Sequence, residues 1–214
     1  DACDGADLLV LSRAPRARLI ILGAGEHAAA LSRLGARAGF AVTVCDPWEL
    51  LVTAERFPDA EQLIAAFPHD FLRDLGLDDV DLRTAICVLT HDERIDIPAL
   101  QVALGLPVGF VGAMGARATV ARRAALLHEA GVHDADLARL HSPLGLDLGG
   151  STPEEAAISA LAEIVASRHD GTGRPLRELD GPVHRQRPAT LDMAALDPIV
   201  PAAEFCDGRN AGWI

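Results

Sequence analysis

Short apolar runs alternate along the chain with segments of helical periodicity. The runs at residues 19–22, 41–45 and 85–89 are continuous, as in strands that are buried on both faces of a sheet. Two further strands are expected, at residues 62–66 and 108–111. Because helical patterns separate these runs, the chain predicts an α/β fold, a doubly wound, mostly parallel, Rossmann-like sheet with helices on both faces.

The helical segments and the two ends of the chain complete the predicted layout. Thr152 and Glu155 form a capping box, so a helix is expected from there to about Ser167. Pro and Gly residues become frequent after residue 169, which predicts a Rossmann-like domain at residues 1–169 and a loop or extended arm at residues 170–214. The remaining expected elements are helices at residues 68–75, 95–104 and 117–130, a short helix after Asp134 followed by a loop at residues 141–149, and a strand-like run at residues 7–11.

The turn after the first strand has the pattern of a dinucleotide-binding loop. Gly23 permits the tight turn, Gly25 lets the backbone approach a pyrophosphate, and Ala28 lets the next helix pack closely on the sheet. The helix N-terminus offers free N–H groups to phosphate. Asp46 ends the second strand, where an acid can hydrogen-bond a ribose hydroxyl. The pattern predicts a nucleotide-like ligand held by these four residues.

The expected strand order places this ligand. In a sheet of order 3-2-1-4-5, ligands bind between the carboxyl ends of the first and fourth strands. Thr90, His91 and Asp92 follow the fourth strand. We predict that Thr90 binds the ligand and that His91 and Asp92 are catalytic, with the imidazole as a proton donor or acceptor. The alternative, in which Thr90 or Asp92 only caps the next helix and His91 is solvated, stays open.

The loop after the fifth strand contributes a second group of candidates. Gly112 and Gly115 allow close approach of the backbone, and Arg117 has a planar guanidinium that can clamp a phosphate or carboxylate. The alternative for Arg117 is an exposed arginine at the start of a helix. Glu26 suits the positive end of a helix dipole but lies where a pyrophosphate would bind. Either Glu26 points away, or the ligand is not an ordinary dinucleotide.

Composition and charge exclude several classes of function. All 19 basic residues are Arg, and the chain has neither Lys nor Tyr, which excludes a P-loop lysine, Schiff-base chemistry and a Tyr/Lys catalytic pair. A net charge of -12 argues against nucleic-acid binding. No apolar run approaches the about 20 residues of a membrane span, so a cytoplasmic protein without a membrane partner is expected. No Cys/His metal spacing occurs, and Cys45 and Cys87 are expected to be buried thiols.

Four segments together form a pattern more specific than the glycine loop alone. They are residues 19–25, residues 88–92 with Asp96 and residues 98–100, residues 111–117 with Thr119, and residues 141–149 with residues 152–157. In this order they resemble the Rossmann domain of the xanthine dehydrogenase accessory (XdhC/CoxI) family. Its members help to mature molybdenum hydroxylases such as xanthine and carbon monoxide dehydrogenases. The loop at residues 115–119 departs from the family's common Gly-Ser-Arg-Arg-Thr by one hydroxyl and one arginine.

The resemblance implies a maturation factor that binds molybdenum cofactor (molybdopterin) and hands it over, more than it implies a catalyst. The cofactor's phosphate or nucleotide extension would rest on residues 23–28 and Arg117, with His91 and Asp92 facing the pterin or metal end. Implied partners are a molybdenum hydroxylase client, a cofactor-sulfurating enzyme and a second copy in a homodimer.

Two rival interpretations remain open. One is an NAD-dependent oxidoreductase, which Asp46 favours but for which no substrate domain is recognisable. The other is a non-catalytic nucleotide-sensing module with the tail as a partner-binding arm.

Overall fold

The computed structural model of the protein describes residues 15–76 and 79–183. Within them six strands form one sheet in which every pairing is parallel. The strands are β1 (Arg18–Leu22), β2 (Ala41–Asp46), β3 (Gln62–Ala65), β4 (Ala85–Val88), β5 (Phe110–Ala113) and β6 (Leu140–His141), in the spatial order β3-β2-β1-β4-β5-β6.

Helices connect the strands and cover the sheet. They are α1 (Glu26–Arg37), α2 (Pro68–Asp74), α3 (Glu93–Gly105), α4 (Arg117–Glu129), α5 (Asp134–Leu137) and α6 (Pro153–Arg168). Thr152 caps α6 with the predicted capping box, in which its hydroxyl accepts from the N–H of Glu155 and the Glu155 carboxylate accepts from the N–H of Thr152. Within the described residues, no helix combines the length and apolar character that crossing a membrane would need.

The core consists of two apolar layers, one on each face of the sheet. Leu19 and Ile21 of β1 belong to the layer that includes α1 and α6, whereas Ile20 and Leu22 belong to the layer that includes α2, α3 and α4. This alternation follows from the opposite directions of successive side chains in a strand. Because both faces are covered, β1 and β4 are apolar along their buried length, as expected for central parallel strands.

The structure confirms the predicted α/β class and the strand order 3-2-1-4-5, and it adds one strand. The region from residue 141 was expected to be a loop, but Leu140 and His141 pair with Val111 and Gly112 of β5. A strand of two residues is too short to show a periodic pattern, so the sequence contains no sign of it. The loop therefore begins at Ser142, beside the carboxyl end of β5.

The chain divides into two units between Arg174 and Pro175. The second unit is described for residues 175–183, where a single 3-10 turn spans Leu176–Glu178. The expected strand at residues 7–11 and the greater part of the expected arm lie outside the described residues. The domain boundary at residue 169 stays a prediction.

Candidate functional site

The turn between β1 and α1 lies against the loop that follows β4. Gly23 has a φ of +114°, a conformation that favours glycine, and its N–H donates to the Cys45 carbonyl at 2.8 Å. A Cβ on Gly23 would come within 3.1 Å of Thr90. The strand order therefore brings Gly23 and Thr90 together at the carboxyl edge of the sheet, where the sequence predicts the ligand.

Asp46 fixes this turn through the backbone. Its carboxylate is buried, Oδ2 accepts from the N–H of Ala24 at 3.0 Å, and Oδ1 accepts from the N–H of Trp48 at 2.9 Å. Gly25, the N-cap of α1, is exposed, whereas Ala28 is fully buried in the core beneath the turn. The ribose contact of Asp46 stays a prediction, because each oxygen already has a backbone donor.

The loop after β4 presents His91 to solvent and uses Asp92 as a cap. His91 has a φ of +65°, and its ring lies 6.5 Å from that of His27 at nearly a right angle. Asp92 caps α3 by accepting from the N–H of Arg94 at 3.0 Å, and its Oδ2 pairs with the Arg94 guanidinium at 2.8 Å. These hydrogen bonds, the side-chain one first, lower the pKa of Asp92. The contacts match the capping alternative, so the catalytic role of His91 and Asp92 stays a prediction.

A buried polar network lies beneath His91. The Thr90 hydroxyl hydrogen-bonds Oδ1 of Asp96. Arg123, nearly buried on α4, donates from Nη1 to Ser142 Oγ at 2.7 Å and from Nη2 to the Met114 carbonyl at 2.8 Å. Nη2 also lies 3.8 Å from Oδ2 of Asp96. Burial raises the pKa of Asp96, and the Thr90 hydrogen bond and Arg123 offset only part of this effect.

This network forms part of the wall of a cavity of about 180 Å³, here called the small cavity. His91, Asp96, Gly115, Thr119 and Arg123 contribute to its lining. Across the described parts of the chain, no group of three or more His, Cys, Asp or Glu side chains is arranged to hold a metal ion. The small cavity therefore offers acidic, basic and hydroxyl groups to an organic ligand.

A second, larger cavity of about 390 Å³ lies between the β5–α4 loop, the residues from Pro143 to Gly150, and the start of α6. Arg117 is exposed and lines this large cavity. Gly115 lines both cavities, so they adjoin. Its φ of +153° and the 3.0 Å from an added Cβ to Arg123 Nη2 explain why glycine is needed there. Two of the predicted site residues thus lie at the large cavity.

The wall of the large cavity is anchored by Glu163 of α6. Its Oε1 lies 2.9 Å from His141 Nδ1, and its Oε2 accepts from the N–H of Gly145 at 2.6 Å. Burial alone would raise the pKa of Glu163, but these two hydrogen bonds lower it below its ordinary value. The His141 ring stacks on Phe110 with the ring centroids 4.3 Å apart. Gly112, predicted to bind the ligand, is instead buried inside β5, where a Cβ would lie 2.6 Å from a Leu144 methyl group.

Sequence reasoning did not identify Arg123 and Glu163 as site residues. A signal for Arg123 exists, because it precedes the buried Leu127 by four residues and so shares the inward face of α4. Glu163 gives no local signal, since its partners lie 18 and 22 residues earlier in the chain.

Comparison with known proteins shows several relatives. The chain is 31% identical over 172 residues to the uncharacterised protein YqeB of Escherichia coli, covering 80% of this chain and 31% of that protein. It is 32% identical over 154 residues to a protein of Bacillus subtilis that is named a probable xanthine dehydrogenase subunit, covering 72% and 44%. It is also 25% identical over 154 residues to the molybdenum cofactor insertion chaperone PaoD of Escherichia coli, covering 72% and 41%.

A solved structure of a xanthine dehydrogenase from Bacillus halodurans superposes with a TM-score of 0.62 at 31% identity, over 72% of this chain and 43% of that one. The chain thus spans 31% to 44% of the length of the curated relatives it matches. Residues 19–164, from β1 to the last turns of α6, match the family described as the XdhC Rossmann domain. The chain belongs to the XdhC Rossmann-domain family.

Proposed function

We propose that this chain is a cytoplasmic accessory factor that binds molybdenum cofactor, or a related pterin or nucleotide, and assists the maturation of a molybdenum hydroxylase such as xanthine or carbon monoxide dehydrogenase. Two kinds of relatives support this proposal. One is named as a probable part of a xanthine dehydrogenase, and the other is named a molybdenum cofactor insertion chaperone. The client hydroxylase and a cofactor-sulfurating enzyme are the proposed partners.

The observation that carries the proposal is the pair of adjoining cavities at the carboxyl edge of the sheet. Arg117 lines the large cavity with an exposed guanidinium, which suits the phosphate or nucleotide end of the cofactor. His91 lines the small cavity, which suits the pterin end. Because the cavities meet at Gly115, one elongated ligand can occupy both.

The arrangement favours binding and handover over turnover. His91 is exposed at the rim of the small cavity, so a ligand there stays accessible to a client protein. Asp92 is committed to Arg94 and to the cap of α3, which leaves His91 as the group that can exchange a proton with the ligand. The rim of the site therefore suits release of an intact cofactor to another protein.

Copurification tests the proposal. The protein is produced in a bacterium that makes molybdenum cofactor, and bound metal and pterin are measured by elemental analysis and by fluorescence after oxidation. We expect both to be present in the parent and reduced about tenfold or more in Arg117→Ala, because a guanidinium–phosphate contact is charge-assisted. Arg37→Ala is the control, since Arg37 is an exposed arginine in the last turn of α1, at the opposite edge of the sheet.

Client activation completes the test. His91→Ala should melt close to the parent, since His91 is exposed, yet should activate an apo-hydroxylase poorly in reconstitution. Parent protein that carries no molybdenum or pterin and binds NAD tightly in calorimetric titration would contradict the proposal. That result would favour the oxidoreductase or the nucleotide-sensing alternative.

A further inference from the structure

One buried carboxylate oxygen in the small cavity lacks a hydrogen-bond donor. The Asp96 side chain is 5% exposed and lines the cavity. Its Oδ1 is bound by the Thr90 hydroxyl. The other oxygen, Oδ2, lies 3.8 Å from Arg123 Nη2, beyond hydrogen-bonding distance. No other donor from the described part of the chain reaches it.

This deficit sets Asp96 apart from two other shielded acids of the domain. Both oxygens of Asp46 accept backbone N–H groups, and both oxygens of Glu163 have partners at 2.9 Å or less. A buried carboxylate without a donor is costly, because it has lost its water and gained nothing in return. The raised pKa of Asp96, caused first by burial, expresses the same cost.

Neighbouring side chains are too committed to supply the missing donor. The two terminal nitrogens of Arg123 are held by Ser142 and by the Met114 carbonyl. The Thr119 hydroxyl donates to the Ala116 carbonyl at 2.8 Å. The small cavity therefore presents a fixed acceptor, Asp96 Oδ2, that a ligand can complete.

We propose that the small cavity is a subsite for a planar heterocycle that directs an exocyclic amino group and an adjacent ring N–H at the Asp96 carboxylate. The inference rests on the proposed function and deepens it, because the pyrimidine ring of a pterin has this edge. Two parallel N–H donors match the two oxygens of one carboxylate, and Oδ1 keeps a second lone pair beside Thr90. Guanine has the same edge, so the chemistry is shared by pterins and guanine nucleotides.

The size of the small cavity suits such a ring. Its 180 Å³ corresponds to about six water molecules at ~30 Å³ each, enough for one flat ring system and little more. Substituents on the far side of the ring would lead past Gly115 toward Arg117 in the large cavity. The ring edge is thus read in one cavity and the charged end in the other.

The test compares three probes on two proteins. Pterin, lumazine and guanosine are titrated into the parent and into Asp96→Asn, and binding is followed by calorimetry and by ligand fluorescence where the probe fluoresces. Lumazine has the pterin skeleton with an oxygen in place of the amino group, so it presents an acceptor to Asp96. We expect the parent to prefer pterin over lumazine by about tenfold or more. In Asp96→Asn this preference should disappear.

Asp96→Asn is the sharpest variant because it keeps the size of the side chain and an oxygen for Thr90. Asp74→Asn, at an exposed aspartate of α2, is the matched control and should bind all three probes like the parent. Circular dichroism and melting temperature check the fold of both variants. If Asp96→Asn does not fold, the parent's preference for pterin over lumazine decides the question by itself.

The outcomes separate the subsite from the proposed function. Equal binding of pterin and lumazine by the parent, no binding of any probe, or an unchanged preference in Asp96→Asn would overturn the subsite. If cofactor still copurifies with Asp96→Asn at the parent level, the subsite is wrong and the proposed function stands. If guanosine binds through Asp96 and pterin does not, the subsite stands and its occupant is a nucleobase, which contradicts the proposed function.

Discussion

At the scale of single residues, Asp46 shows how one carboxylate can hold two backbone segments. Oδ2 accepts from the N–H of Ala24 in the β1–α1 turn, and Oδ1 accepts from that of Trp48 after β2. Ala24 is 2% exposed, so water cannot replace the lost partner there. The shape of the glycine turn therefore depends on this side chain whether or not a ligand is present.

We expect Asp46→Ala to lower the free energy of unfolding by about 1–3 kcal/mol, the cost of leaving a buried donor unsatisfied. Urea denaturation measures it, with the exposed Asp74→Ala expected within about 0.5 kcal/mol of the parent. Full stability in Asp46→Ala would show that the two backbone hydrogen bonds contribute nothing. A parallel titration with NAD isolates any ribose contact, which would add a loss of about 1.5–3 kcal/mol in binding.

Residue identities at the strand ends were predictable, but their partners were not. The motif placed Asp46 and Thr90 at the carboxyl edge because it fixes their distance from the strands. Which groups they bind depends on a turn and a helix that meet only in the folded chain. Gly112 illustrates the limit, since a glycine that serves close packing looks the same in the sequence as one that faces a ligand.

At the scale of elements, α6 and the loop after β6 behave as one unit through Glu163. The carboxylate binds His141 at the end of β6 and the N–H of Gly145 in the loop. Gly145 has a φ of +114°, so the loop turns sharply at the position that Glu163 holds. The wall of the large cavity is thereby fixed to a helix that packs in the core.

We expect Glu163→Gln to be less stable than the parent by about 1.5–3 kcal/mol at neutral pH, the range for hydrogen bonds to a charged group. The folded pKa of Glu163 lies below the ordinary 4.5, so its contribution is complete above that value and is lost as pH falls through the folded pKa. The difference between parent and variant should therefore shrink below about pH 4. Denaturation at both pH values measures it, and Glu129→Gln, at an exposed helix end, should show no such difference.

The elements with long apolar runs were predictable from the sequence, and β6 was not. Five strands have enough residues to show a run or a pattern, whereas Leu140–His141 is defined only by its pairing with β5. The predicted loop at residues 141–149 was therefore displaced by one residue. Its role as a cavity wall became visible only with the position of α6.

At the scale of the whole molecule, Arg123 joins three loops of the carboxyl edge. It reaches Met114 after β5, Ser142 after β6 and the neighbourhood of Asp96 in α3. All three contacts are shielded from water, since Arg123 is 9% exposed. The two cavities therefore keep their shape through one guanidinium between them.

We expect Arg123→Met to destabilise the protein by about 3–5 kcal/mol, the range for removing one partner of a buried charged pair. Asp96→Asn in the same chain should recover part of the loss, because the remaining carboxylate is then neutral. A double-mutant cycle by urea denaturation measures the coupling. Losses that simply add would mean that Asp96 and Arg123 do not interact at 3.8 Å.

Much of the architecture thus follows from local patterns, while the site depends on contacts across the fold. Apolar runs and turn glycines act over a few residues, so they predicted the sheet and its order. Arg123 and Asp96 are 27 positions apart in the sequence, and nothing in either segment indicates that they meet. The same holds for Glu163 and Gly145.

The parallel order also constrains how the chain is made. β1 lies at the centre of the sheet, but its second neighbour, β4, ends at Val88, more than sixty residues later. During synthesis one edge of β1 stays unpaired until those residues have left the ribosome, because a parallel partner must be closed over a long connection. A central apolar strand of the domain is thus one that nascent-chain chaperones must protect for a long stretch of translation.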